Sequence, residues 1–85
     1  MKEYTYQVKN ELGMHARPAG MFVKLAKQSQ SVIEIQKGDK KVNVSRLLAV
    51  MGMGIRQGDT ITLTVDGPDE EQVFPEVQKV CDEIL

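Results

Sequence analysis

One histidine and one arginine stand two residues apart near the start of the chain, in the segment Gly13-Met14-His15-Ala16-Arg17-Pro18. His15 is the only histidine of the 85 residues. A neutral imidazole has a nitrogen lone pair that can act as a nucleophile. Arg17 can donate two hydrogen bonds in fixed geometry to phosphate oxygens, which lysine cannot reproduce. These residue types therefore favour covalent chemistry on a phosphoryl group.

Pro18 places this motif at the start of a helix. Proline belongs in the first helical turn, where its missing N–H costs no hydrogen bond. Because the residue before a proline avoids the helical region, either His15 or Arg17 is nearest the N-cap. In both cases unpaired amides and the positive end of the helix dipole lie beside the imidazole, where they favour an anion.

A lone histidine in a loop is equally compatible with a solvated surface residue or a helix cap. The motif contains no carboxylate, second histidine or thiol to act as general base, and Cys81 is most simply a small core residue. Self-contained hydrolysis or acyl transfer is therefore poorly supported, and we expect a protein that is not an independent enzyme. No pair of Cys or His residues has metal-ligand spacing, so no metal or cofactor is expected.

The elements that must position His15 follow from apolar periodicity. Strand-like alternation occurs in four stretches, and Gly38-Asp39 between the second and third suits a type II′ hairpin turn. Helical spacing runs from Ala16 to Ala26 (Ala16, Ala19, Phe22, Val23, Ala26) and from Val73 to Ile84. The short apolar segment from Leu47 to Met53 allows one or two helical turns between them. Asp69 and Gln72 resemble a capping box, and Pro75 predicts a kink or a late start of the last helix.

The element order is βαββαβα within one domain spanning residues 1–85. Antiparallel hairpin chemistry and strands with one apolar face predict an α+β fold. We expect an open-faced β-sandwich, with helices on one face of the sheet and water on the other.

The charge distribution is two-sided. Residues 1–60 hold ten basic and five acidic side chains, a net of +5, whereas residues 61–85 hold one basic and seven acidic, a net of −6. Phosphate-backbone binding needs a concentrated positive footprint, so nucleic acid is not the expected partner. An acidic protein surface suits the basic side. A single cysteine, no signal-peptide pattern and no apolar run of membrane length predict a cytoplasmic protein without membrane insertion.

Two surface features allow both a docking role and a structural one. Arg17, Lys24 and Lys27 lie roughly along one side of the first helix, as a docking stripe or as an ordinary solvated face. The apolar segment around residues 47–53 is too short to bury every side chain, so part of it is either exposed for partners or packed as satellite core. Flexible thioethers suit a surface that meets several partners, and Met14 and Met21 are candidates to join it.

The segment Gly13-Met14-His15-Ala16-Arg17-Pro18-Ala19 resembles the phosphorylation motif of the histidine-containing phosphocarrier (HPr) family. This family serves the bacterial phosphoenolpyruvate-dependent sugar phosphotransferase system. The resemblance covers essentially the whole chain and includes Val42-Asn43, the segment from Leu47 to Ile55, and Asp69-Glu70-Glu71. It implies a four-stranded antiparallel sheet in order 1-4-2-3, covered on one face by three helices.

The resemblance also implies how the motif works. His15 would accept phosphate on Nδ1 from phosphorylated Enzyme I and pass it to the IIA domain of a sugar permease. Ala16 and Arg17 would bind the phosphate. The implied docking residues are Gly20, Lys24, Lys27, Arg46, Leu47, Leu48 and Met51. The expected protein is a monomer, and the alternatives are a regulatory paralogue that binds partners reversibly or serves a non-sugar phosphorelay, and an interaction module in which His15 is silent.

Residue 46 departs from the family pattern. Many Gram-positive members have a serine there, which a kinase phosphorylates to restrain transfer at the histidine, whereas this chain has Arg46. Arginine cannot take that modification, so serine-dependent regulation is in doubt. We predict that the neighbouring Ser45 caps the short helix, and that Arg46 strengthens docking to acidic partners.

Overall fold

The computed structural model describes all 85 residues and has the predicted order βαββαβα. The β-branched alternation of the sequence forms four strands: β1 (Lys2–Gln7), β2 (Val32–Lys37), β3 (Lys40–Asn43) and β4 (Thr60–Asp66). The stretches with helical period form three helices: α1 (Ala16–Gln28), α2 (Leu47–Met51) and α3 (Glu70–Ile84).

The four strands form one antiparallel sheet in order β1-β4-β2-β3, as the resemblance implied. β4 lies between β1 and β2, with Tyr6 opposite Ile61 on one side and Ile35 opposite Leu63 on the other. Lys37 and Lys40 close the β2–β3 hairpin. Gly38 has a φ of 61°, and no non-glycine residue has a positive φ, which confirms the type II′ turn.

One face of the sheet meets the helices in a single hydrophobic cluster of 19 buried residues. Alternate residues of β4 point into it, and Phe22 of α1 and Val77 of α3 cover them from the helical side. On the opposite face the hydroxyls of Thr5 and Thr62 meet across β1 and β4 at 3.3 Å. The predicted sandwich with one open face is confirmed.

The last helix differs from its prediction in two respects. It begins at Glu70 and continues through Pro75, so the predicted late start is wrong. Pro75 has no N–H to donate to the Glu71 carbonyl. Both residues are exposed, so water can donate a hydrogen bond to that carbonyl instead. The predicted capping box is also wrong, because the Asp69 side chain makes no capping hydrogen bond.

The Asp69 carboxylate instead connects the start of α3 to the loop before β2. It accepts hydrogen bonds from the Ser31 hydroxyl and from the Gln30 amide, the latter at 2.8 Å. These partners precede Asp69 by more than 35 residues, so local spacing could not reveal them. The carboxylate acts as a tertiary bridge rather than as a helix cap.

We expect Asp69→Asn to lower the melting temperature at pH 7. We also expect the melting temperature of this variant to change less between pH 7 and pH 2.5. The Ser31 hydroxyl, followed by the Gln30 amide, holds the pKa of Asp69 below its ordinary value. A carboxyl group whose pKa is lowered by folding stabilises the folded state at pH values above its ordinary pKa of about 4. This stabilisation is lost as the pH falls through the pKa of the folded state. Melting curves of both proteins from pH 7 down to pH 2.5 measure the difference.

Glu71→Gln is the matched control, because Glu71 is an exposed carboxylate of the same helix with no hydrogen bond or ion pair. It should leave the acid dependence of the melting temperature near that of the unmodified protein. Equal effects of the two variants would contradict a specific role for the Asp69 bridge.

Candidate functional site

His15 is the N-cap of α1 and has an extended backbone, with φ −111° and ψ −173°. Its carbonyl accepts the first hydrogen bond of the helix, from the Ala19 amide at 3.1 Å. Of the two residues that the proline left as alternatives, His15 rather than Arg17 is therefore the cap. The imidazole makes no capping hydrogen bond, so the side chain is free for another role.

The two nitrogens of the half-buried His15 ring have different surroundings. Nε2 is buried and has no hydrogen-bond partner. Nδ1 also makes no hydrogen bond but is not completely buried, and so it is the more accessible of the two ring nitrogens. An electrophile that approaches from water therefore meets Nδ1.

Unpaired backbone donors lie at the same helix start as the His15 ring. The amides of His15, Ala16 and Arg17 donate no hydrogen bond within the protein, and Pro18 has no N–H to donate. At the start of a 13-residue helix these donors and the helix dipole favour a negative charge. The arrangement can hold phosphate oxygens beside Nδ1.

Ala16 and Arg17 are both exposed. The helical spacing groups Ala16 with the apolar residues of α1, but the buried residues of this helix are Pro18, Ala19 and Phe22. A methyl group at position 16 leaves the neighbouring amides accessible. The Arg17 guanidinium has no acidic partner within ion-pair distance, so both of its donor edges are available to an anion.

The loop before His15 rests on the segment of residues 54–59, between α2 and β4. The Met14 amide donates to the Ile55 carbonyl at 3.1 Å. Gly13 has a φ of 63°, and a Cβ at this position would overlap the Ile55 carbonyl oxygen and lie 2.8 Å from Arg56 Cα. Met14 is buried, so the suggestion that it joins an exposed surface is wrong. Its side chain anchors the loop in the core.

An apolar surface lies on α2, which packs against α1. Leu48 is 82% exposed, and Leu47 and Met51 are 39% and 38% exposed, whereas Val50 and Met53 are buried. We call the three exposed residues the α2 patch. Their exposure confirms the prediction that the short helix cannot bury all of its apolar side chains.

The other predicted docking residues lie at several places on the surface. Lys24 is in a groove between α1 and α3, and Lys27 is exposed in the last turn of α1. Gly20 is half-buried, and a Cβ there would meet no atom within 4 Å. Arg46 is the exposed N-cap residue of α2 and forms no ion pair.

Ser45 does not cap α2, so that prediction is wrong. The N-cap position belongs to Arg46, without a side-chain capping bond, and the Ser45 amide donates to Asn43 Oδ1 at 2.9 Å. Leu12 is a surface residue that the sequence did not reveal. It is 73% exposed in the loop before His15, and its isolated position in a polar turn gives no periodic signal.

Cys81 is a core residue, as predicted. Its side chain is fully buried in α3, and burial, with a smaller contribution from Asp82, raises the pKa of the thiol to about 12. The thiolate form that reacts with electrophiles is therefore absent near neutral pH. Cys81 is therefore not a candidate nucleophile, whereas His15 has an accessible ring nitrogen.

Comparison with known proteins agrees with this architecture. A sequence model described as the PTS HPr component phosphorylation site matches residues 2–83. The chain is 42% identical over 74 residues to the phosphocarrier protein HPr of Lysinibacillus sphaericus, covering 87% of this chain and 84% of that protein. It is also 42% identical over 74 residues to the HPr-like protein Crh of Halalkalibacterium halodurans, covering 87% and 88% of the two chains.

Solved structures show the same fold. A crystal structure of HPr from Thermoanaerobacter tengcongensis has 38% identity and a TM-score of 0.87, covering 96% of this chain and 92% of the other. A crystal structure of an HPr dimer from the same organism has 38% identity and a TM-score of 0.73, covering 96% and 94%. None of the three helices is both long and apolar enough to cross a membrane. From the match over nearly its whole length, this chain belongs to the HPr family of phosphocarrier proteins.

Proposed function

We propose that this protein carries a phosphoryl group on Nδ1 of His15 within the sugar phosphotransferase system. The group comes from phosphorylated Enzyme I and goes to the IIA domain of a sugar permease. The observation that supports this most directly is the orientation of the ring, with Nε2 buried and Nδ1 open beside three free amides. Membership of the HPr family supports the choice of partners.

The transfer step needs only a nucleophile and donors for the phosphate oxygens. The lone pair of Nδ1 forms a bond to phosphorus while the bond from phosphorus to the donor breaks, and the ring proton stays on Nε2. The free amides and Arg17 bind the oxygens of the transferred group. Because the site is open to water, phosphate is held only modestly and can leave again to the next acceptor.

Partner docking is proposed for the α2 patch and the basic residues around it. Leu47, Leu48 and Met51 offer exposed apolar area next to α1. Arg17, Lys27 and Arg46 are exposed and unpaired, so they can meet an acidic partner surface and accelerate encounter with it. Gly20 would let a partner approach the α1 backbone closely, and Lys24 would extend the basic contact toward α3.

Incubation with phosphoenolpyruvate and Enzyme I tests the proposed function. One phosphate per chain should be added, labile to acid and stable to base, and a IIA domain should then remove it. Absence of label under conditions where an established HPr is labelled would refute the proposal.

We expect Leu48→Ser to weaken transfer from Enzyme I mainly through docking. Loss of an exposed apolar anchor should raise KM for the partner about tenfold and leave kcat nearly unchanged. Val32→Ser is the matched control, because Val32 is 50% exposed but lies on β2. Steady-state rates at varied concentrations of the carrier separate the two constants. A similar rise in KM for both variants would contradict docking by the α2 patch.

A regulatory role is the second candidate, because one relative of 42% identity is an HPr-like protein named Crh. In that case the phosphorylated protein would bind a regulator and would not pass its phosphate to a IIA domain. Arg46 has no hydroxyl group, so regulation of either kind would not use phosphorylation of residue 46. The solved HPr dimer leaves the predicted monomer as a proposal, which sedimentation analysis tests.

A further inference from the structure

An ion pair outside the motif reaches the segment on which His15 rests. Lys37, at the end of β2, donates to Asp59 Oδ2 at 2.8 Å and to the Gly54 carbonyl at 2.9 Å. Both charged side chains are about one-third exposed, 32% for Lys37 and 29% for Asp59. The ammonium thus connects the hairpin to both ends of residues 54–59.

Asp59 closes this segment into a turn. Its carboxylate accepts the Arg56 amide at 2.8 Å, and its own amide donates to the Arg56 carbonyl at 3.0 Å. The hydrogen bond from Lys37, followed by that from the Arg56 amide, lowers the pKa of Asp59, so the carboxylate is charged near neutral pH. The Asp59 carboxylate therefore both closes the turn and pairs with Lys37.

Apart from the burial of Ile55 in the core and its contact with the loop before His15, the other hydrogen bonds to this segment are at its far end. Val8 of the loop after β1 exchanges backbone hydrogen bonds with Asp59 and Gly58, at 2.9 and 2.8 Å. Lys37 is the side chain that reaches Gly54, next to Ile55. The Ile55 carbonyl in turn accepts the Met14 amide. Removal of Lys37 would leave Ile55 held by packing alone at the end of the segment that supports the residue before His15.

We propose that Lys37 and Asp59 are positioning residues for phosphoryl transfer at His15. Their ion pair fixes the Ile55 carbonyl beneath the Met14 amide, and this contact keeps Nε2 of His15 buried and Nδ1 exposed. The inference rests on the proposed function, because it names the residues that orient the same nucleophile. It concerns the choice of ring nitrogen and the rate, not the identity of the partner.

A small chemical donor isolates this effect from docking. Phosphoramidate gives its phosphoryl group to imidazole: the bond from nitrogen to phosphorus in the reagent breaks, ammonia leaves, and a ring nitrogen bonds to phosphorus. The variant is Lys37→Met. Lys41→Met is the matched control, because Lys41 lies on the same hairpin and its ion pair with Glu34 does not touch the segment. Nitrogen-15 spectra of the histidine ring identify the phosphorylated atom.

We expect the unmodified protein and Lys41→Met to be phosphorylated only at Nδ1. Lys37→Met should react about tenfold more slowly at Nδ1 and should yield product at Nε2 as well, because a misplaced nucleophile loses rate and the buried nitrogen becomes accessible. Lys37→Arg should restore both properties, because its guanidinium can reach the same two oxygens. Identical product and rate in Lys37→Met and the unmodified protein would overturn the inference.

Two further measurements separate positioning from general loss of stability. Amide hydrogen exchange should accelerate at Met14 more than at Leu63 of the core in Lys37→Met, whereas global destabilisation would accelerate both alike. Asp59→Asn keeps an acceptor for the Arg56 amide but loses the charge that holds Lys37, and it should show the same Nε2 product. Exchange that accelerates equally at both amides, or Asp59→Asn product confined to Nδ1, would overturn the inference. If Enzyme I fails to label the unmodified protein, the proposed function fails instead.

Discussion

Replacing His15 with alanine should abolish phosphate uptake from phosphoenolpyruvate and Enzyme I. No other nucleophile is presented at the site, because Cys81 is buried with a pKa raised to about 12. The expected loss is complete rather than partial, since the phosphoryl group bonds directly to the missing ring. Quantifying acid-labile phosphate per chain measures it.

The same substitution should leave the fold almost unchanged. The His15 ring makes no hydrogen bond, and its buried Nε2 is unpartnered, so truncation removes no satisfied polar contact. We expect the free energy of unfolding to change by no more than about 1 kcal/mol. Ser45→Ala, which removes an exposed hydroxyl near α2, is the control and should retain full labelling. Residual acid-labile phosphate on His15→Ala would contradict the assignment of the nucleophile.

Replacing Gly13 with alanine should damage both stability and transfer. The added Cβ would overlap the Ile55 carbonyl, and an L-residue at a φ of 63° is strained in addition. Relief of the overlap requires the loop to move away from residues 54–59, which breaks the contact from Met14 and displaces His15. Misplacement of a reacting group by about 1 Å can cost about a hundredfold in rate, and we expect a loss of this size.

Gly38→Ala is the matched control because Gly38 has nearly the same φ, 61°, but a Cβ there would meet no atom within 4 Å. Both variants place an L-residue at a positive φ, and only Gly13→Ala adds the steric overlap. Gly13→Ala should be less stable than Gly38→Ala by about 1–3 kcal/mol, the usual cost of overpacking. Urea denaturation and labelling rates measure the two effects. Equal stability and equal labelling of the two variants would show that the loop accommodates the methyl group freely.

The contrast between His15 and Gly13 describes how the site is built. We expect the His15 ring to contribute little to stability, whereas a glycine two positions earlier is required by close backbone contact with a distant segment. Mutations at both positions should impair labelling, but only Gly13→Ala should also lower stability.

Much of the fold was predictable because its signals are local. The alternation in β4, the glycine-first turn at Gly38-Asp39 and the proline in the first turn of α1 each depend on neighbours within a few residues. The candidate nucleophile and the candidate phosphate-binding guanidinium could be named for the same reason, since His15 and Arg17 are two residues apart. The strand order came from the resemblance of the motif to a family.

Some local predictions failed where a side chain had two possible partners. Asp69 was expected to cap α3 but bonds to Ser31 and Gln30, and Ser45 was expected to cap α2 but leaves that position to Arg46. Met14 was a candidate for the surface, yet the loop folds it into the core. For Asp69 and Met14 a contact between distant parts of the chain was stronger than the local preference, whereas Ser45 is engaged locally through its amide by Asn43.

The sequence by itself determined that an imidazole, an arginine and a helix start occur together, because covalent connectivity places them within four residues. Only the tertiary structure decided that Nε2 of His15 is the buried ring nitrogen and that the loop before it rests on Ile55. It also brought Lys37 and Asp59, 22 positions apart, into the support of that segment. Side-chain orientation is set by packing between segments far apart in the chain, and no periodicity in the sequence records it.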